Sequence, residues 1–352
     1  MIFICALFVL FFSGIGLYYL VFVPDWRLPG FLNLKKEKAV ISDDSVKTQD
    51  LSLGGECSDC FQRRLDGVYV ASQKSAESFP VAVVIDNDIM ARPQESLSKA
   101  SLVYEVPVEG GMTRYLAIFP ADIDLSAVGP VRSARPYLVA LAEELKALFV
   151  HCGGSQEALN LIKEADLYDL NEFYNANYFW RDRSSVRLAP HNVLISGDNW
   201  RSYLGKRGLS DNKAEAWLFK EEAKLDPAPE AQDINIYFSA NFRAMWRYQP
   251  DANSYRRFFN GLESADGFGP IQAKNVIIQF TDTKVLDEAG RLQLDLSGSG
   301  EAKICVDGIC RQGVWRQRDG RRTRYYYEDG EEIKLNPGVT WIEIAGSNTR
   351  VE

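Results

Sequence analysis

Apolar residues recur in short runs along most of the chain, and each run predicts an element. Pro80–Ile85 is continuously apolar and reads as a buried strand. Ser101–Val106 and Thr113–Phe119 read as two more, with Gly110-Gly111 predicting a hairpin connection. From Pro136 to Leu148, residues Leu138, Val139, Leu141, Ala142, Leu145 and Leu148 gather on one side. Glu143 and Glu144 take the other, which predicts a helix with proline in its first turn. Ala147–Cys152 turns strand-like, and Gln156–Ala165 reads as a helix capped by Ser155.

Beyond residue 231 the pattern becomes almost all β. Strands are expected at 234–239, 241–248, 255–259, 275–281, 304–312, 324–327 and 340–344. Asp-Gly pairs at 266–267, 307–308, 319–320 and 329–330 supply turns. The expected fold class is therefore α+β: a mixed α/β domain over 61–204, a linker over 205–230, and a mostly antiparallel β domain over 231–349. Asp226-Pro-Ala-Pro-Glu230 is the most linker-like part.

The first residues follow neither period. Ile2–Val23 is a run of 22 residues without a charge, about 33 Å long as a helix and enough to cross a bilayer core. Pro24, Asp25 and Trp26 end it. It has no polar stripe, no basic residue before it and no small-residue cleavage site after it, so an uncleaved transmembrane anchor at 1–23 is expected. Residues 24–60, rich in charge, Ser, Asp and Gly, read as a flexible stalk. Arg27, Lys35, Lys36 and Lys38 follow the anchor, and the positive-inside rule taken alone would keep the bulk of the chain in the cytoplasm.

Cysteine usage points the other way. Cys305 and Cys310 flank Val306-Asp307-Gly308-Ile309. Asp-Gly favours a two-residue type I′ turn, which sets the two cysteines opposite one another in a non-hydrogen-bonded pair. A cross-strand disulfide is expected there, and with it an extracytoplasmic location. Cys57 and Cys60 could close a second small loop; the rival for all four is a zinc site. Cys5 lies in the apolar run, and Cys152 is left as an unpaired, buried small hydrophobe.

Composition excludes some classes. The chain has 352 residues, 46% hydrophobic and 25% charged, which is globular rather than disordered. A net charge of −8 argues against a nucleic-acid partner. The chemistry gathers in polar runs of the first half: Ile85-Asp86-Asn87-Asp88, Arg92-Pro93-Gln94, Tyr104-Glu105, Glu109–Arg114, Gly129–Tyr137, His151–Ser155, Arg181-Asp182-Arg183 and Pro190-His191-Asn192.

These runs, in this order, resemble the YerB-like family of extracytoplasmic bacterial proteins. That family is named as lipoproteins and classed as a domain of unknown function with a C-terminal companion domain. The resemblance spans about residues 61 to 348 and includes R-L-Q-L-D-L-S-G-S-G and D-G-E-E-I-K-L-N-P-G-V-T-W-I-E-I at 329–344. It implies an envelope location and two domains, and no reaction. Family members often carry a lipobox cysteine after a basic signal peptide. Cys5 lies too early and lacks that context, so a membrane helix is expected in place of a lipid.

Two functions are open from the residues. Arg132 and Arg135 precede a helix start, where free N–H groups and the dipole favour an anion. With Arg92, Arg114, Ser133 and the Gly153-Gly154-Ser155 helix start, they would form a site for a carboxylate, a phosphate or an anionic envelope polymer. Internal ion pairs to Asp86, Glu105, Glu109 or Asp182 are the plain alternative. The other function is an envelope enzyme, with His151 or His191 as proton shuttle and Asp86, Glu105 or Glu109 as partner. A third reading is a structural partner in envelope assembly. No metal site or cofactor is expected, because close ligand spacing is missing. Arg311, Arg316, Arg318, Arg321, Arg322 and Arg324, with Trp315 and Tyr325–Tyr327, form a basic aromatic stretch. It would suit an anionic polymer or lipid headgroups, or simply a solvated hairpin face.

Overall fold

The computed structural model describes residues 60–183, 187–210, 214–222, 227, 229–230 and 232–352. The expected membrane segment at 2–23, the stalk up to residue 59, Cys5 and Cys57 lie outside them. Among the described residues no helix is long and apolar enough to cross a membrane.

In chain order the elements that carry the argument are β1 (Pro80–Asp86), β2 (Leu102–Pro107), β3 (Thr113–Pro120), α1 (Pro136–Glu143), β4 (Leu148–His151), α2 (Gln156–Ile162) and β5 (Tyr168–Asn171). They continue with β6 (Phe179–Arg181), β7 (Val193–Ile195), α3 (Gly197–Lys206), β8 (Asp233–Ser239), β9 (Phe242–Gln249), β10 (Ser254–Phe259) and β11 (Asn275–Phe280). The last are β12 (Gly298–Val306), β13 (Ile309–Gln317), β14 (Arg324–Tyr327) and β15 (Thr340–Ala345). The first half mixes α and β, and the second is largely β, in keeping with an α+β fold.

One sheet of ten strands runs through both halves, in the order β14-β13-β12-β11-β15-β2-β3-β1-β4-β5. The joint is a parallel pairing of β15 with β2, in which Thr340 faces Leu102 and Glu343 faces Glu105. The sequence reading of two successive regions contains no such joint, because strand pairing between segments over two hundred residues apart leaves no local pattern.

Each face of the sheet is covered differently. Val81, Val83 and Ile85 of β1 face a core shared with Ile234, Trp246 and Tyr255 of the antiparallel β8–β9–β10 sheet and with Trp200 and Tyr203 of α3. Ala82 and Val84 face the other core, shared with Leu138 and Leu141 of α1 and Ala158 of α2. Burial on both faces explains why β1 is continuously apolar rather than alternating.

Three expectations need correction. The helix from Pro136 ends at Glu143, not near Leu148. Lys146 takes a positive φ of 48°, and the chain turns so that Leu148 can pair with Val81. Helix α2 likewise ends at Ile162. Part of the expected linker is packed: Trp217 is buried and donates to the Thr323 carbonyl at 2.9 Å, and Leu218–Phe219 pairs with Lys334–Leu335.

The hairpin geometry follows the local rule. Asp307 and Gly308 both take positive φ, Val306 pairs with Ile309, and Cys305 pairs with Cys310 in a disulfide. Cys60 is also disulfide-bonded. A four-cysteine zinc site built on Cys305 and Cys310 is thereby ruled out. Cys152 is free and half-buried rather than fully buried.

Candidate functional site

The polar runs meet at the C-terminal ends of the parallel strands β1 and β4, the usual place for a ligand crevice in a partly parallel sheet. The segment 129–134 is laid between them. Arg132 N donates to the Val84 carbonyl at 2.9 Å, and Cys152 N donates to the Arg132 carbonyl at 3.0 Å. These backbone bonds bring Arg132 beside Asp86, at the end of β1.

Asp86 is the hub. Its Oδ2 lies 2.9 Å from Arg132 Nε, as an ion pair without hydrogen-bond alignment, and 2.7 Å from His191 Nδ1. Its Oδ1 accepts from Asp88 N at 3.0 Å. Asp86 is 5% exposed, whereas Arg132 and His191 are 21% and 17% exposed, so the pair reaches solvent through the cation and the imidazole. His191 is held in place by the chain around it: Asn192 accepts from Arg181 Nη1 at 3.2 Å and donates to the Asp182 carbonyl at 3.0 Å.

Three arginines stand around the start of α1. Arg135 donates twice to Glu109, at 2.6 and 3.0 Å. Burial works against the Glu109 charge, but this fork holds its carboxyl below the usual carboxylate range. Arg114, on β3, is buried and donates to the Ser133 carbonyl at 3.0 Å. Among the described residues no carboxylate lies within ion-pair distance of it. Burial, then the neighbouring Arg135 and Arg132, push the Arg114 guanidinium down to about 10. Among the described residues, the ion pairs of Arg114, Arg132 and Arg135 are thus limited to Asp86 and Glu109.

Other expected site residues go elsewhere. Glu105 is fully buried and belongs to the core joint: Oε2 accepts from Arg257 at 2.6 Å, and Oε1 from Thr113 at 2.7 Å and Asn87 at 3.2 Å. A carboxylate so enclosed cannot meet a substrate. Arg92 turns toward the second sheet, with its guanidinium 3.3 Å from the Phe259 ring centre and Nη2 2.5 Å from Asn87 Oδ1. His151 is fully buried, and its ring nitrogens meet the Gly153 carbonyl and Asp169 Oδ1, each at 2.7 Å. It has no free edge for proton transfer, which removes it as a shuttle.

The Gly153-Gly154 turn is filled by the protein itself. A Cβ on Gly153 would lie 2.9 Å from the Phe173 ring, and one on Gly154 would lie 3.1 Å from Ala134 Cβ. The close backbone approach therefore serves packing. Ser155 caps α2 by accepting from Ala158 N at 3.3 Å. Burial and Glu172 push the Cys152 thiol up to about 11, away from the reactive thiolate.

Sequence reasoning missed Asp169, which holds His151 from another segment. It also missed a set of exposed apolar side chains that follow the polar runs: Ile89 and Met90 after Asp88, Phe173 and Tyr174 after Asn171, and Leu188 before His191. Their polar neighbours hid them, and nothing in the chain's periodicity marks them as exposed.

Residues 65–210 match the family model described as the N-terminal domain of a protein of unknown function, DUF3048. Residues 234–342 match the model of its C-terminal domain. The chain is 31% identical over 278 residues to the Bacillus subtilis (strain 168) protein named "Putative lipoprotein YerB", covering 77% of this chain and 82% of that one. Among solved structures, the crystal structure of YerB from Bacillus subtilis superposes with a TM-score of 0.74 at 30% identity, over 83% of this chain and 99% of that one.

Proposed function

The chain belongs to the DUF3048 family, and we propose that it is an envelope protein, facing outward from the cytoplasmic membrane, that binds an anionic ligand at Arg114, Arg132 and Arg135. The observation that carries this reading is Arg114, a buried guanidinium with no carboxylate partner among the described residues, flanked by two further arginines. A desolvated cation among like charges gains most from an arriving anion. Exposed Phe173, Tyr174 and Trp180 supply apolar faces of the kind that sugar or peptide parts of an envelope ligand stack on.

The location rests on three supports. The relative is named as a lipoprotein. The Cys305–Cys310 disulfide fits an oxidising compartment. The apolar segment 2–23 offers an anchor. Intact cells treated with a membrane-impermeant thiol reagent are expected to label at Cys305 and Cys310 only after external reduction. Labelling of that pair only after lysis would put these residues inside.

Binding is tested by calorimetric titration with phosphate-bearing and carboxylate-bearing wall fragments at low salt. The expected result is saturable binding that weakens with salt and that Arg114→Met weakens about tenfold or more. No binding to any anionic fragment overturns the reading.

The 2.7 Å contact of Asp86 with His191 favours a second reading. An imidazole oriented by a carboxylate and partly open to solvent is a general base in waiting. Mass analysis of the fragments after incubation decides between the two. A mass change that His191→Gln abolishes would make the protein an enzyme, and unchanged fragments leave it a binder.

A further inference from the structure

A second group of arginines stands apart from the Asp86 site. Arg316 is the last residue but one of β13, Arg324 begins β14, and Arg318, Arg321 and Arg322 lie in the turn between them. With Tyr326 and Glu215 they line a cavity of about 320 Å³, within the size range of small-ligand sites. In the sheet order β13 is five strands from β3, so this cavity is about 24 Å from Arg114 at the usual strand spacing.

The charges in it do not cancel. Glu215 is taken by Arg324 at 2.8 Å, and Arg324 also binds Glu332 at 2.7 Å. Among the described residues no carboxylate lies within ion-pair distance of Arg316, Arg318, Arg321 or Arg322. A neighbouring hollow shares Arg321 and Arg322 and carries Glu143, Glu144, Asp166 and Asp319. The positive field therefore has a boundary at Arg321 and Arg322, with Arg316 and Arg318 on the side away from the carboxylates of that hollow.

The floor of the cavity is fixed. Arg322 is 2% exposed and lies with its guanidinium 3.5 Å from the Trp217 ring centre. It donates to the Glu215 carbonyl at 2.9 Å, and its Nε has no partner. Arg316 lies over Tyr326 at 4.6 Å. A buried guanidinium, with three exposed ones around it that meet no carboxylate among the described residues, presents forked donors from several directions. That is the arrangement a tetrahedral dianion or a phosphodiester fills better than a planar carboxylate does.

We propose that this cavity binds the phosphate groups of a soluble phosphodiester polymer. A membrane surface fits less well. Ile309, at the far end of β13, is the one large apolar side chain exposed on β13, β14 and the turn between them. Headgroup attraction would then act alone, without the apolar insertion that holds surface-bound elements in a bilayer. The proposal uses none of the residues of the Arg114 site, so each stands or falls separately.

The test uses the full chain in detergent micelles and a poly(glycerol phosphate) oligomer as probe. Binding is read by calorimetry, and by the fluorescence of Trp217 beneath Arg322. The triple variant Arg316→Gln, Arg318→Gln, Arg321→Gln removes exposed charges that pair with no carboxylate among the described residues, and its thermal midpoint should stay close to that of the parent. Its affinity for the oligomer is expected to fall about tenfold or more. The Trp217 response should be lost in the triple variant and kept in Arg114→Met. Equal affinity of parent and triple variant overturns the proposal. So does equal affinity of the parent for polyglutamate, which would remove the preference for phosphate. Tighter binding to anionic phospholipid vesicles than to the oligomer would replace the polymer with a membrane.

Discussion

Replacing Arg257 with methionine is expected to cost about 3–5 kcal/mol of folding stability, because it leaves a buried carboxylate without its cation. Arg257 is 1% exposed, Glu105 is fully buried, and they meet at 2.6 Å. Glu343 stands opposite Glu105 across the β2–β15 joint and is fully buried as well. One guanidinium serves two carboxyls. Burial, with Glu105 beside it, pushes Glu343 well above the usual carboxylate range. Its Oε1 accepts from Trp246 Nε1 at 2.7 Å, while Oε2 has no hydrogen-bond partner. Burial alone would lower Arg257, yet Glu105 holds it above its ordinary value.

The contrast with Glu343→Gln makes the argument testable. A glutamine keeps an acceptor for Trp246 and a donor toward Glu105, so the change should cost under about 1.5 kcal/mol at acidic pH. Urea unfolding followed by tryptophan fluorescence measures both, since Trp246 and Trp341 pack edge to face 5.1 Å apart at this joint. Near-equal losses for Arg257→Met and Glu343→Gln would mean that both carboxyls are ionised and that the joint is a conventional ion-pair network.

This joint also marks what the sequence leaves illegible. The Cys305–Cys310 hairpin is readable because an Asp-Gly turn fixes its own register over six residues. β1 and α1 are readable because their apolar periods are long and local. Glu105 is different. Its strand is legible from V-Y-E-V-P, but its partner Arg257 lies 152 positions away, and no local pattern tells a buried glutamate in a strand from an exposed one. The same limit applies to the histidines. Both sit in polar runs beside strand ends, yet His191 reaches Asp86 across 105 positions while His151 is sealed against Asp169. The arginines of the first half read as one ligand set, and the fold divides them. Arg92 goes to an aromatic ring, Arg135 to Glu109, and Arg114 is left without a carboxylate among the described residues. Motif spacing shows where polar chemistry gathers. The number of partners each charge finds there is a tertiary fact.

Glu144→Gln is expected to stabilise the protein at pH 8 and to change little at pH 4. Glu144 is 7% exposed and accepts from Thr323 N at 2.8 Å and from Thr323 Oγ1 at 3.0 Å. Burial pushes its carboxyl up to about 7, from an ordinary value of 4.5. The folded protein then binds a proton more readily than the unfolded chain between those two values. Stability from this group is complete below pH 4.5 and falls as pH rises through about 7. Each pH unit separating the folded and unfolded values is worth about 1.4 kcal/mol, so the loss by pH 8 is of the order of 3 kcal/mol. Glutamine carries no such slope. Its carbonyl can accept from Thr323 N while its amide donates to Thr323 Oγ1, which keeps both contacts as a protonated glutamate would. The gain at pH 8 should therefore approach the loss the parent suffers there, in unfolding curves recorded at pH 4, 6 and 8 for both proteins. A parent whose stability does not fall between pH 6 and 8 relative to the variant would show that Glu144 ionises at its ordinary value, with Arg322 beside it compensating the charge more fully than burial penalises it.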